Sequence, residues 1–263
     1  MSHWGELCAS NVILLILLKL ELNKNKIKNK RINKNELLNF GPLPKPPKGK
    51  LIYKSPKGEF IYIDLLSIIY GSLLGDCHGE KRKNGTGTRF SFYQEGSHED
   101  YLLYLHKLIS NLGYCNSNIP KIQTRLGNKG KLRKIIRFST WTYDIFNPIY
   151  DKWYINKKKI LPNDIDIYLT PLALAIWIMD DGGKLNNGLK IASNNFNYNE
   201  HLILINILKN KYNLDVSIIK SGYKNQYNLY FNTNSMSNLI NIVKPYIHPS
   251  MKYKLITKLN PNF

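Results

Sequence analysis

The sequence predicts an α+β fold of two pseudo-symmetric αββαββα repeats that pack through a pair of apolar helices. Three observations predict it. Two apolar helical segments, DLLSIIYGSLLGD (Asp64 to Asp76) and TPLALAIWIMDDGG (Thr170 to Gly183), each run into an acid. Each is followed by the same order of patterns, an alternating strand, an amphipathic helix and two more alternating strands. The charge is one-sided, with Lys+Arg 38 against Asp+Glu 18 and a net charge of +20, which suits a polyanionic partner.

The elements follow in order. Residues 1–50 read as a basic, Pro-rich extension, disordered or exon-derived: residues 19–35 are a Lys/Asn run and residues 42–50 a Pro-rich stretch. The first repeat spans residues 51–160 and the second residues 161–263. Both apolar helices are apolar on nearly every face, as expected of helices buried at the centre of a fold. Thr170 suits an N-cap and Pro171 the first helical position. Strands are expected at Arg89 to Gln94 and Leu189 to Ser193, then amphipathic helices at Glu99 to Tyr114 and Asn199 to Leu214. Further strand pairs lie in Lys121 to Thr140 and Val216 to Thr233. The halves close alike, Phe138 to Phe146 against Phe231 to Leu239.

Composition narrows the chemistry. With 263 residues, 43% of them hydrophobic, the chain can build a sizeable core. Its three cysteines, Cys8, Cys77 and Cys115, form no CxxC pair or disulfide framework, which indicates a reducing compartment. The six histidines make no HExxH or other zinc spacing, so a metal would be a hard cation held by oxygen. The apolar run Val12 to Leu18 is far shorter than the roughly 20 residues of a membrane span and lacks the flanks of a signal peptide. No membrane partner and no import signal are expected.

The repeat brings two acids to matching places. If the central helices pack side by side, Asp76 and Asp181 emerge at the same end. Gly71, Ser72 and Gly75 in the first helix, with Ala173 and Ala175 in the second, supply the small residues a close seam needs. Two carboxylates held together raise each other's pKa unless a cation sits between them, and oxygen-only ligation suits Mg²⁺. Such a centre fits in-line phosphodiester hydrolysis.

IYGSLLGDC (Ile69 to Cys77) and LAIWIMDDG (Leu174 to Gly182) resemble the two LAGLIDADG motifs of single-chain, intron-encoded homing endonucleases. The resemblance covers Ile61 to the C-terminus. KKKILPN (Lys157 to Asn163) is similar to the family's Lys-x-apolar-Pro stretch, and IVKPYIHPSMKYKL (Ile242 to Leu255) to its closing segment. Cys77 replaces the motif's final Gly, and Leu74 and Met179 replace its first, non-catalytic Asp. The resemblance implies a monomer whose saddle of antiparallel sheets sits on double-stranded DNA and cuts both strands. Asp76 and Asp181 would be the metal-binding catalytic acids, one per strand, and the carbonyls of Gly75 and Asp180 would help ligate. Lys159 and Lys254 would flank the scissile phosphates. An ungapped match of the repeats from Phe138 and Phe231 pairs Lys159 with Lys252 instead, so Lys252 and Lys254 both stand as candidates. Mg²⁺ is the expected cofactor; Mn²⁺ would substitute, and Ca²⁺ would bind without supporting cleavage.

Alternation along the strands gives candidate DNA-contacting rows. In the first repeat these are Arg89, Ser91 and Tyr93; Gln123 with Arg125; and Arg133 with Arg137. In the second they are Lys190, Ala192 and Asn194, with Lys220, Lys224 and Gln226 near the last hairpin.

Two other functions compete: a group I intron maturase, which would act on intron RNA through the same fold, and a non-catalytic DNA-binding regulator. Intact acids in both motifs favour cleavage. The opening MSHWG resembles a stretch of mitochondrial cytochrome b, which would suit a mitochondrially encoded frame continuing from an exon into an intron.

Overall fold

The computed structural model describes residues 60–81, 87–127 and 130–256. The N-terminal extension, residues 1–50, lies outside the described residues. Two helices form the centre, α1 (Phe60–Leu74) and α5 (Pro171–Asp181). From Leu65 to Leu74 every residue of α1 is buried, and Ala173 to Met179 of α5 are fully so. Over these buried stretches the apolar composition has no amphipathic stripe because no face meets water. A Cβ on Gly71 would lie 2.5 Å from the Ala173 carbonyl oxygen, and one on Gly75 2.6 Å from Asp180 Cβ. Backbone therefore meets backbone at Gly71 and a side chain fills the space over Gly75, and only glycine permits either approach.

In the first repeat α1 leads to β1 (His78–Lys81), β2 (Thr88–Glu95), α2 (Glu99–Asn111), β3 (Gln123–Leu126), β4 (Leu132–Ser139) and α3 (Asn147–Trp153). A two-stranded ribbon, β5 (Tyr154–Ile155) and β6 (Lys158–Lys159), and a short helix, α4 (Ile165–Tyr168), lead across to α5. The second repeat continues with β7 (Gly182–Leu185), β8 (Gly188–Ile191), α6 (Tyr198–Tyr212), β9 (Val216–Lys220), β10 (Tyr227–Phe231) and α7 (Met236–Val243). It closes in a 3₁₀ stretch, Pro249–Lys254. The strand orders are β1-β2-β4-β3 and β7-β8-β10-β9, antiparallel throughout, so one topology occurs twice.

Local chemistry explains the boundaries. Thr170 caps α5, its side chain accepting from the Ala173 N–H at 3.2 Å with Pro171 behind it. Asn197 and Glu200 form a capping box on α6, and Asn213 ends it in the left-handed region at φ 52. Phe90 and Phe92 of β2 point inward, and Phe92 stacks on Phe138 of β4 at 4.7 Å.

The structure corrects two expectations and adds one element. The first central helix stops at Leu74, not at Asp76: the Gly75 and Cys77 amides both turn back onto the Ser72 carbonyl. Asp76 is thus delivered by a turn, whereas α5 runs through Asp181. The first closing helix lies downstream of the expected segment, because Phe138 and Ser139 finish β4 before α3 starts at Asn147. The β5–β6 ribbon, of which only the second strand lies in the Lys157 to Asn163 motif, turns on Asn156 and Lys157 at φ 49 and 64, the conformation of a tight two-residue hairpin.

Candidate active site

Parallel packing of α1 and α5 brings Asp76, Asp180 and Asp181 to one end of the seam. Asp76 is exposed, and Asp180 and Asp181 are half-buried. Burial first, then the charge of Asp76, pushes the Asp181 carboxyl up to about 7, against the opposing pull of Lys159 and Lys254. Burial and the charges of Asp76 and Asp181 also raise Asp180 well above the usual carboxylate range.

Two lysines complete the end of the seam in matching ways. Lys159, from β6, donates its Nζ to the Gly75 carbonyl at 3.2 Å and to that of Cys77 at 2.9 Å. Lys254, from the closing 3₁₀ stretch and buried, donates to the Asp180 carbonyl at 2.9 Å and also to that of Met179. Each ammonium thus sits on the carbonyl of the residue before a motif acid. It is Lys254, and not Lys252, that stands to Asp181 as Lys159 stands to Asp76. Ungapped counting misled here because the lysines ride on unlike elements, a ribbon in one half and a 3₁₀ turn in the other. Burial holds both amines below their ordinary values, and the nearby acids partly counter it.

Sequence reasoning missed three residues. Gln94 is buried on β2, and its Nε2 donates to Asp76 Oδ2 at 2.7 Å and to Asp180 Oδ1 at 3.2 Å. His98 lies 3.1 Å from Gln94 Oε1 through Nδ1, and Tyr101 donates its hydroxyl to Asp180 Oδ1 at 2.8 Å. The signal was present in the alternation. Arg89, Ser91 and Tyr93 on one face leave Phe90, Phe92 and Gln94 on the other, and a glutamine on a core face requires polar partners.

The donor set suits a hard divalent cation only in part from the protein. Among the described residues no group of three or more His, Cys, Asp or Glu side chains is arranged to hold a metal. Two carboxylates with the Gly75 and Asp180 carbonyls offer oxygen alone, and each carbonyl keeps a lone pair beside its lysine. Mg²⁺ is commonly held by one or two carboxylates with the rest of its shell from water and substrate phosphate, which this arrangement permits.

Beside Asp76 the first sheet forms an open concavity of about 770 Å³. Cross-strand register assigns its face. Arg89 pairs with Glu80, Tyr93 with Arg137, Gln123 with Ile135 and Arg125 with Arg133. Paired residues share a face, so the expected rows Arg89–Ser91–Tyr93, Gln123–Arg125 and Arg133–Arg137 lie together. Two of these arginines are already engaged: Arg89 reaches Glu80 at 2.5 Å and Arg133 pairs with Glu95. Burial works against the Glu80 charge, but hydrogen bonds from Arg89 and Ser91 hold its carboxyl below the usual range.

In the second sheet Lys190 and Ala192 face away from buried Leu189 and Ile191, and Asn194 bonds Gln226 at 3.0 Å. Lys224 and Gln226 are exposed on the β9–β10 hairpin. Lys220 departs from the expectation. It pairs with Tyr227, in alternation with Leu229 and Phe231, and so falls on the helix-covered face at the strand's end. The row was drawn across a hairpin whose register the sequence did not reveal.

A doubled α+β unit that gathers paired acids and lysines at one end of its central helices, beside a basic sheet face, defines a class. The chain belongs to the LAGLIDADG DNA endonuclease family, whose model matches residues 66–239. It is similar to the cytochrome b mRNA maturase bI2 of Debaryomyces hansenii, 62% identical over 192 residues that cover 73% of each chain. With the Saccharomyces cerevisiae protein of that name it shares 55% identity over 200 residues, 73% of this chain but 47% of the yeast protein, so it spans about half the length of that relative. Among solved structures it is similar to the homing endonuclease I-WcaI bound to its DNA recognition sequence. That likeness has a TM-score of 0.70 and 30% identity, and covers 86% of this chain and 99% of the other.

Proposed function

We propose that this chain is a site-specific homing endonuclease that makes a double-strand break in a long DNA target by metal-dependent phosphodiester hydrolysis. The carrying observation is the duplicated set at the seam, Asp76 with Lys159 and Asp181 with Lys254, each lysine on the carbonyl preceding a motif acid. Two such sets match the two strands of a duplex. Asp76 and Asp181 would hold the cation, with Mg²⁺ favoured, Mn²⁺ able to replace it and Ca²⁺ binding without turnover. When bound, the cation neutralises charge developing on the attacking and leaving oxygens. Lys159 and Lys254 hold positive charge where the phosphates would lie, and Gln94 fixes the orientation of the Asp76 carboxylate.

Arg125 and Arg137, with Lys190, Lys224 and Gln226, would meet DNA across the sheets. Arg and Gln are suited to base edges and Lys to phosphate. The reading extends to a monomer working in the mitochondrial matrix, consistent with relatives named for cytochrome b mRNA.

A second reading, a group I intron maturase that assists RNA splicing with or without DNA cleavage, is favoured by the 62% identity to a protein named as a maturase. Nothing in the described residues favours a non-catalytic regulator, since both acids and both lysines are in place. The test is incubation of the purified protein with DNA spanning the intronless cytochrome b exon junction, with Mg²⁺ or EDTA. Mg²⁺-dependent cutting at one position is expected. Binding without cutting, together with accelerated splicing of the parent intron RNA, would instead establish the maturase.

A further inference from the structure

The two halves of the seam are not alike. At the position before the motif acid the first half has Gly75, with no side chain, and the second has Asp180. The Asp180 carboxylate fills the space left by Gly75, where a Cβ would come within 2.7 Å of its Oδ2. There it accepts from the Tyr101 hydroxyl at 2.8 Å, from Gln94 Nε2 at 3.2 Å and from the Asp76 amide at 3.4 Å. Gln94 Nε2 reaches Asp76 Oδ2 at 2.7 Å as well, so one amide group joins the two acids. A side chain of the second repeat thereby braces the acid of the first.

The reverse brace is missing. Gln94 lies two residues beyond Phe92, which pairs with Phe138; its counterpart lies two beyond Ile191, which pairs with Leu229, and is Ser193. Ser193 is turned away, its Oγ 2.8 Å from Nε2 of buried His201. Among the described residues none donates a hydrogen bond to the Asp181 carboxylate.

We propose that Asp180 is a positioning residue that acts with Gln94 to fix Asp76, making the two halves of the active site inequivalent. The half built on Asp76 is set before a cation or DNA arrives, and the half built on Asp181 is set only by them. The inference rests on the endonuclease reading for its meaning in strand cleavage but not for its geometry.

The experiment uses the full chain, a duplex target labelled differently on each strand, and the variants Asp180→Ala and Asp180→Asn. Asp76→Asn and Asp181→Asn assign each nick to its half. Asp180→Ala is expected to slow the nick belonging to Asp76 on the order of tenfold, the size of effect expected for lost hydrogen bonds to a charged group, and to leave the other within about twofold. Asp180→Asn, which keeps an acceptor for Tyr101 and Gln94, is expected to restore part of the loss. Equal slowing of both nicks, or slowing confined to the Asp181 nick, overturns the proposal.

Terbium luminescence of the free protein is the second readout. Asp180→Ala is expected to weaken about tenfold the binding component that Asp76→Asn removes and to spare the one that Asp181→Asn removes. Uniform weakening overturns the proposal. A chain that binds terbium in this unequal way yet cuts nothing would overturn the endonuclease reading and leave this one standing. A wild type that neither nicks nor binds terbium overturns both.

Discussion

At the scale of single residues the site is governed by crowded like charge. Asp181 carries the clearest consequence, because its carboxyl is pushed up to about 7 by burial and by Asp76. A carboxyl raised on folding favours the folded state while protonated. That contribution is whole below its unfolded value near 4 and is lost as pH climbs through about 7. The wild type is therefore expected to lose melting temperature relative to Asp181→Asn between pH 5 and pH 8. Added divalent cation should close the gap, and parallel melts with and without Mg²⁺ check both points. The acids were legible in the sequence because each ends an apolar segment. The side-chain roles of Gln94 and Asp180 were not assigned: alternation puts Gln94 on the core face, but its partners, and what fills the space over Gly75, depend on how helices and sheet pack. Lys254 was one of two candidates that only its position on the Asp180 carbonyl could separate.

At the scale of elements the central pair sets the geometry, and its tolerance is testable. A side chain at Gly71 must push against the Ala173 backbone, at 2.5 Å from a carbonyl that cannot move alone. Gly71→Ala is expected to cost about 1–3 kcal/mol, the usual range for overpacking a core. Gly183→Ala, with nothing within 4 Å, should be close to neutral, and urea unfolding of the two variants makes the comparison. Removal of the α5 cap in Thr170→Ala should cost about 1 kcal/mol in the same assay. The cap and the apolar helices could be read directly, because capping and burial are local patterns. The ends of α1 and α3 and the facing of Lys220 could not. A local turn closed on the Ser72 carbonyl and the register of β9 on β10 are outcomes that hydrophobic periodicity does not encode.

For the whole molecule, a net charge of +20 over the full sequence and a basic face on the first sheet suit a polyanionic partner. If about ten phosphates are neutralised, log K for DNA should fall with log salt at a slope near −9. Replacement of Arg125 or Arg137 by Ala should make that slope shallower by about one if the side chain meets phosphate, and fluorescence anisotropy at several salt concentrations measures it. The internal repeat was visible from the sequence because both halves keep the same order of patterns. The inequivalence of their active-site halves was not, because it arises from side chains that cross the seam.

The central claim is that each half of the seam cuts one strand, and plasmid topology tests it most directly. A supercoiled plasmid bearing the intronless cytochrome b junction is incubated with the protein and Mg²⁺. The wild type should give linear DNA, Asp76→Asn and Asp181→Asn should each give nicked circles, and the double variant should leave the plasmid supercoiled. Linear product from either single variant, or intact plasmid with a wild type that binds it, would contradict the account.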